Sequence, residues 1–562
     1  MSLPLCVVTD PDGQTAPDGS RYYAGYYIRE ILSHAGIRYD EVERPLDALD
    51  GYRVVLLPWH MPLSVSERTL LDGFVESGGA LIGLGGMSGL DDVFGAVDRG
   101  EMADGYVQVT AKDHPVTAGF RSSLHCFGGR RIKAVDGTAL ARVIGASDGV
   151  VAHRPGNGIA IAVGPDVVRT IVHIQQGLPI PPAIGPTRID VIQGLALDLD
   201  RDRSPVPGEE ENLVFLEPIA DEFRELIIKA VLYACQEVGV SLPVLWYWPD
   251  NLPAIAHMSH DSDGGDESLG WSLLQLTQEA DINTTWCIMA GHYQPEFYRD
   301  IQDYGSEVAL HYDAQTWQTA SDDQKPATAH LKWGYEALAG QLRTVTEAAG
   351  RPVTTNKNHT LRWQGRLAFF RWCERLGITL EQSRGPNTPY TNGFPFGGCH
   401  PWFPIDDESP GGPSIDVLEV NLTVQDIHKR CSTRLAHCFA DRAFQHHGIA
   451  HFLFHPAHVW EPAVRGGLRE IVGYTRDKGM PWWTAARIDA WERARRTVRF
   501  AVRENGAWEV SAHSHLKGAT VLLLEPDGES TSRGEAVERY GFKFRAVTMD
   551  LEGGKKVEIP KV

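Results

Sequence analysis

The chain has 562 residues, 43% hydrophobic and 22% charged, with a formal net charge of −20. That length exceeds one ordinary domain, so two or three are expected. The acidic balance argues against nucleic acid and anionic membrane surfaces, which both reward clustered Lys and Arg, and no uncharged apolar run approaches the roughly 18 residues of a membrane span.

The first residues, "MSLPLCVVTDPDG", carry no basic segment ahead of their short apolar run and do not read as a signal peptide. The expectation is a cytoplasmic protein. From there to about residue 245, strand and helix patterns alternate. "PLCVVTD" is followed by "RYYAGYYIREILSHAG", which stops at a glycine. "YRVVLLP" is followed by "SVSERTLLDGFVESGG", with Ser64 or Ser66 as N-cap. Then comes "ALIGLGG", and later "GIAIAVGPD" and "ELIIKAVLYACQEVG". Such alternation predicts a parallel sheet covered by helices. Residues 176–212, rich in Pro, Gly and charge, read as a long loop. By pattern, residues 1–245 resemble the class I glutamine-amidotransferase-like (trehalose-utilisation-like) fold, which implies a flavodoxin-like doubly wound sheet. The catalytic members place a cysteine on the turn after the strand matching "ALIGLG". Here that turn reads Gly85-Gly86-Met87-Ser88, so a structural or assembly role is expected. A homo-oligomer is a further expectation, because accessory domains of this type build oligomer contacts.

"SLPVLWYWPDNLPAI", residues 241–255, holds three prolines and reads as a linker. From 246 to about 495 the alternation resumes. Strands are predicted at "AIAHMSH", "NTTWCIMA", "SEVALHY", "VTTNKNH", "SIDVLEV" and "IAHFLFH". Helices are predicted at "LGWSLLQLTQEA", "HLKWGYEALAGQLRTVTEAAG", "RLAFFRWCERLG", "STRLAHCFADRAFQHHG" and "GGLREIVGYTRDKG". Several strands end on Asp261, His311, His359 or His455. In a barrel of parallel strands the C-terminal ends share one rim, so these residues would converge there. The tail, 496–562, alternates with turn signals such as "ENG" and "PDG" and predicts a small β module.

The eight cysteines include no CxxC pair, so a zinc ribbon is not expected. Asp and His at a strand-end rim suit another chemistry. A divalent metal that activates water needs oxygen and nitrogen ligands, a base for the water's proton and an acid for the leaving group. "SHDSDGG" offers two carboxylates one residue apart, able to divide the roles of base and ligand.

With this pattern, residues 246–495 resemble the polysaccharide deacetylase (NodB-homology, carbohydrate esterase 4-like) superfamily, which implies a (β/α)7-type barrel and amide or ester hydrolysis. The resemblance implies Asp261 as catalytic base and Asp263 as metal ligand. "SEVALHYDAQT" supplies His311 as a second ligand, but Gln315 stands where the family has a histidine four residues on. In "NKNHTLRW", Arg362 matches the family's arginine and Trp363 its aromatic. The proline is missing, and His359 is added. We infer that His359 takes the vacant metal position; His330 and Asp313 are its rivals. "FLFHPAH" matches the family's Leu-x-His and implies His455 as general acid, with His458 facing the same pocket. Asp426 or Glu419 would orient that acid. His400 and the aromatics of "GFPFGGCHPWFP" suit a sugar subsite, together with Trp363 and His458.

Each piece also has a bland reading. Two aspartates before glycines form turns, and a lone histidine is more often packed than ligating. Order and position raise the joint weight. The implied activity is a metal-dependent deacetylase acting on an acylated sugar or small amide, with one divalent ion, zinc before cobalt, nickel or manganese. The partner is a small-molecule or oligosaccharide substrate. Two alternatives remain. One is a ligand-binding protein on a decayed hydrolase fold. The other, weaker, is chemistry at Ser88.

Overall fold

The structure, a computed structural model, describes every residue except 1, 16–18, 121–122, 146, 181–192, 315–332, 505, 526–533 and 560–562. No helix among the described residues is long and apolar enough to cross a membrane.

The first unit is a mixed sheet whose parallel part runs Asp40–Glu43, Leu5–Thr9, Val54–Leu57, Ala80–Leu84, Ile159–Val163. In chain order this is 2-1-3-4-5, one of the two common doubly wound orders. Four of these strands are buried at every residue, as expected where helices cover both faces. Antiparallel strands, beginning with Ser147–His153, extend the sheet beyond Ile159–Val163. Helix Val65–Glu76 starts at Ser64, whose hydroxyl accepts from Glu67 N–H while the Glu67 carboxylate accepts from Ser64 N–H, a reciprocal cap. At the end of the expected loop 176–212 and just past it, Ser204–Val206 and Glu209–Val214 form an antiparallel pair.

The second unit is a curled, all-parallel sheet. Its order is Leu418–Glu419, Leu380–Glu381, Thr355–Asn358, Glu307–Tyr312, Thr285–Ile288, Ile255–Asp261, Ile449–Leu453, Val424–Gln425, with Trp482–Trp483 also paired to Ile255–Asp261. The run is barrel-like, and its two end strands are separated in sequence only by residues 420–423. Helices Glu267–Glu279, Pro295–Asp303, Tyr335–Ala349, Ala368–Leu376, Thr433–Gln445 and Pro462–Asp477 alternate with the strands and bury one apolar face each. The five predicted helices agree with five of these to within a few residues over the described residues; Pro295–Asp303 was not predicted.

Residues 241–255 are not a free linker. Pro243–Leu245 pairs antiparallel with Leu516–Leu524 of the tail, which continues through Phe542–Leu551 and Glu535–Arg539. A second small sheet joins Arg499–Val502, Trp508–Ser511 and Lys556–Ile559.

Candidate active site

The strand Ile255–Asp261 delivers Asp261 at its last residue, 4% exposed. Ser262 then ties the exit down: its N–H donates to Cys287 O, and its Oγ accepts from Met289 N–H at 2.9 Å. Gly264 and Gly265 have φ of +79° and +64°, values that glycine adopts at little cost. A Cβ on Gly265 would also lie 3.2 Å from the His292 ring. Asp266 follows as N-cap of helix Glu267–Glu279, accepting from Ser268 N–H and Leu269 N–H. The chain therefore turns within five residues, leaving Asp263 at the rim with its side chain 34% exposed.

Three imidazoles face Asp263 with their Nε2 atoms. His311 Nε2 lies 3.1 Å from Asp263 Oδ1, and His359 Nε2 and His455 Nε2 lie 3.7 and 3.8 Å from Oδ2. Each ring is held from behind at Nδ1. His311 Nδ1 donates to Lys357 O at 2.9 Å. His359 Nδ1 donates to Asp313 Oδ1 at 3.1 Å. His455 Nδ1 donates to Asp426 Oδ2 at 2.6 Å. An Nδ1–H fixed on an oxygen orients the ring and reserves Nε2 for a metal or a proton, the usual outer support of histidine ligands. Metal bonds of about 2.1 Å put neighbouring ligand atoms of a tetrahedral site roughly 3.4 Å apart. The separations from Asp263 Oδ1 to His311 and from Oδ2 to His359 bracket that value, so each pair has donors suited to a divalent ion.

A tighter group is Asp426, His455 and His458, whose ligand-type atoms all lie within 4.8 Å of one another. There His455 Nδ1 and His458 Nδ1 stand 2.6 and 2.9 Å from the same oxygen, Asp426 Oδ2. The first is a hydrogen bond, and both separations are short for ligands sharing an ion, so Asp426 holds the His455 ring. Asp426 reaches it by a left-handed turn, φ +38°, and also accepts from His455 N–H at Oδ1.

Charge follows geometry. Burial works against ionisation of Asp263, yet His311, His455 and His359 outweigh it and hold its carboxyl well below the usual range. Burial also works against protonation of His311, but Asp261 and Asp263 raise its pKa. At His455 burial is again overcome, by Asp426 first, and the imidazole is lifted to about 9.

Sequence reasoning missed Lys357. Its side chain is fully buried; Nζ donates to Ser259 Oγ and lies 3.4 Å from Asp261 Oδ1. Arg362 does not take that place, for its guanidinium donates to Ala314 O and stacks over Trp333. A lysine in the middle of a predicted strand was the available signal, since an unpaired lysine is almost never fully buried.

The structure thus brings Asp261, Asp263, His311, His359, His455 and His458 together, with Asp313 behind His359 rather than as its rival. His330 lies outside the described residues. Trp363 and His400 do not join them. Trp363 is 3% exposed and packs on Phe369 and Phe370 under the Arg384 guanidinium. His400 is 4% exposed and lies 2.9 Å from His34 Nε2 and 2.6 Å from His446 O, where helix Ile28–His34 meets the barrel. Phe394, Phe396 and Trp402 of its loop are buried with it. Glu419 is buried against Arg384 N–H and Glu381, away from His455. Ser88, at φ +53°, is 3% exposed and accepts from Met61 N–H.

No family model and no curated protein matches the chain. Solved structures give partial likenesses. A candidate polysaccharide deacetylase from Mycobacterium smegmatis is 14% identical, covering 44% of this chain and 93% of that one, at TM-score 0.32. A mutant of a CE4 family pseudoenzyme is 14% identical over 43% of this chain and 68% of that one, at TM-score 0.27. The chain spans 30% of the β-galactosidase of Bacillus circulans sp. alkalophilus, with 30% of its own length covered, at 19% identity and TM-score 0.25. Scores this low assign neither function nor a common fold.

Proposed function

We propose that the barrel-like unit is a metal-dependent hydrolase of an acylated amine, removing acetyl or a similar acyl group. One observation carries this reading: three histidines, each pinned at Nδ1, aim Nε2 at one rim carboxylate, with a second buried carboxylate alongside. Asp263, His311 and His359 would hold the ion, whose identity the donor set leaves between zinc, cobalt, nickel and manganese. Bound there, a divalent cation polarises an acyl carbonyl and acidifies water. Asp261, its carboxylate held beside the Lys357 ammonium, would take the proton of a water as the water oxygen adds to the acyl carbon, before the carbon–nitrogen bond breaks. His455, kept protonated by Asp426, gives a proton to the departing amine. Ser88 is buried and already accepts a backbone N–H, which weighs against chemistry there.

The test is hydrolysis of N-acetyl amides by the metal-loaded chain and by Asp261→Asn. A loss of about 10²–10⁴-fold in kcat with metal content retained is expected for removing a general base. Equal rates in both proteins would remove Asp261 from that role.

A further inference from the structure

Beneath the rim, one face of the curled sheet is polar where apolar packing would be expected. Strand residues two apart face the same side, so His257, Ser259 and Asp261 stack along the strand Ile255–Asp261. His451 stands opposite His257 on the neighbouring parallel strand. Lys357 comes from a strand three places away in the sheet. Its head group still meets Ser259 Oγ and lies 3.4 Å from Asp261 Oδ1, so its side chain reaches across that face. His257, Ser259, Lys357 and His451 are all fully buried. Burying an ammonium and a hydroxyl is costly unless their hydrogens and lone pairs are matched.

The hydrogens can be assigned. Asn421 O, 3.1 Å from His451 Nδ1, only accepts, so Nδ1 carries the ring hydrogen. Burial first, then the neighbouring His257 and Lys357, holds the His451 pKa well below its ordinary value. The ring is therefore neutral, and Nε2 is a bare lone pair. Ser259 Oγ lies 2.9 Å from that Nε2 and must donate to it. The lone pairs of Oγ are then left for Lys357 Nζ. The order runs one way: Lys357 to Ser259, Ser259 to His451, His451 to Asn421 O. His257 fixes the lower end, for its Nδ1 donates to Trp483 O at 2.8 Å and its ring centroid lies 4.4 Å from that of His451.

These bonds decide where the ammonium sits. A lysine head is a point charge on a flexible stem. Hydrogen-bonded to the base, it would occupy a lone pair that a water's proton needs. Ser259 instead holds it at ion-pair distance, and among the described residues Asp261 Oδ1 accepts no hydrogen bond.

We propose that Ser259 and His451 are positioning residues for the general base: through Lys357 they place a positive charge beside Asp261 while leaving Oδ1 free to take a proton. This rests on the hydrolase reading above and adds the residues that set its base. The test is a double-mutant cycle on the metal-loaded full-length chain, with an N-acetyl amide such as 4-nitroacetanilide. Ser259→Ala is expected to lower kcat about tenfold or more, with KM and metal content kept. Added to Lys357→Met it should lower kcat no further, because both changes act through one charge. His451→Gln, whose amide oxygen can accept from Ser259, should keep most of the rate, and His451→Leu should match Ser259→Ala. Losses that multiply in the double variant overturn the proposal, as do equal rates in His451→Gln and His451→Leu; either result in an active chain leaves the hydrolase reading standing. A metal-loaded wild type that cleaves no N-acetyl amide sinks that reading and this proposal with it.

Discussion

At the scale of single residues, the site is a set of opposed charges. Asp263 is held ionised by imidazoles, and Asp261 and Asp263 raise the pKa of His311 against burial. His455 is the residue with the sharpest consequence. Its pKa stands at about 9 in place of an ordinary value near 6.5 because Asp426 outweighs burial. A general acid works protonated, so activity should hold through neutral pH and fall as pH rises through about 9. Asp426→Asn removes the charge that raises the pKa. Its pH–rate profile should therefore show the alkaline limb moved down by about one unit or more. An alkaline limb unmoved in the variant would show that another group sets it. Much of this was legible in the sequence, because Asp261, His311 and His455 each close an apolar run, Asp263 follows two residues on, and His359 closes a predicted strand. Which residue supports which was not, since Asp313 and Asp426 reach their histidines across 46 and 29 residues of chain.

At the scale of elements, the strand Thr355–Asn358 departs most from pattern. Its sequence is TNKN, all polar and all buried. Each side chain is pinned: Thr355 to Glu307, Asn356 to Glu381, Lys357 to Ser259, Asn358 to Arg362 O. A polar strand is tolerated inside when nearly every group is satisfied; here Asn356 Oδ1 is the exception. That rigidity fixes both Lys357 and the following His359. Lys357→Met keeps the length of the side chain and removes its charge. A fall in kcat on the order of 10²-fold is expected, with metal content kept, because Asp261 loses its alignment. Loss of metal along with activity would instead make Lys357 a structural support of the whole rim. The strand itself was readable from its place between helices. Its lysine's purpose was not, because the charge it meets lies on a strand three places away in the sheet.

At the scale of the whole molecule, the units interlock. Helix Ile219–Glu237 is buried on almost all sides, so it acts as a shared core element rather than an amphipathic cover. Its Asp221 accepts from Cys399 N–H, and its Glu225 lies 2.5 Å from His446 Nδ1. The sequence hid this joint because its partners are more than 170 residues apart, and His400 and its aromatic loop looked like a binding surface for the same reason. Burial opposes the charge on His446, but Glu225 and Glu222 raise its pKa to about 9. The stabilisation is therefore complete below the unfolded value near 6.5 and is lost as pH rises through about 9. His446→Gln should cost about 3 kcal/mol in urea denaturation near pH 6, with the deficit shrinking by about pH 9.5. A deficit constant across that range would mean that packing, not charge, is what the variant loses.

The most direct measurement is elemental analysis of the purified full-length chain beside Asp263→Ala and His359→Ala. If the rim is a metal centre, the wild type holds about one divalent ion per chain, and both variants lose it. A wild type that stays empty after exposure to zinc, cobalt, nickel and manganese would contradict the metal centre and leave the three histidines as a fold-locking cluster.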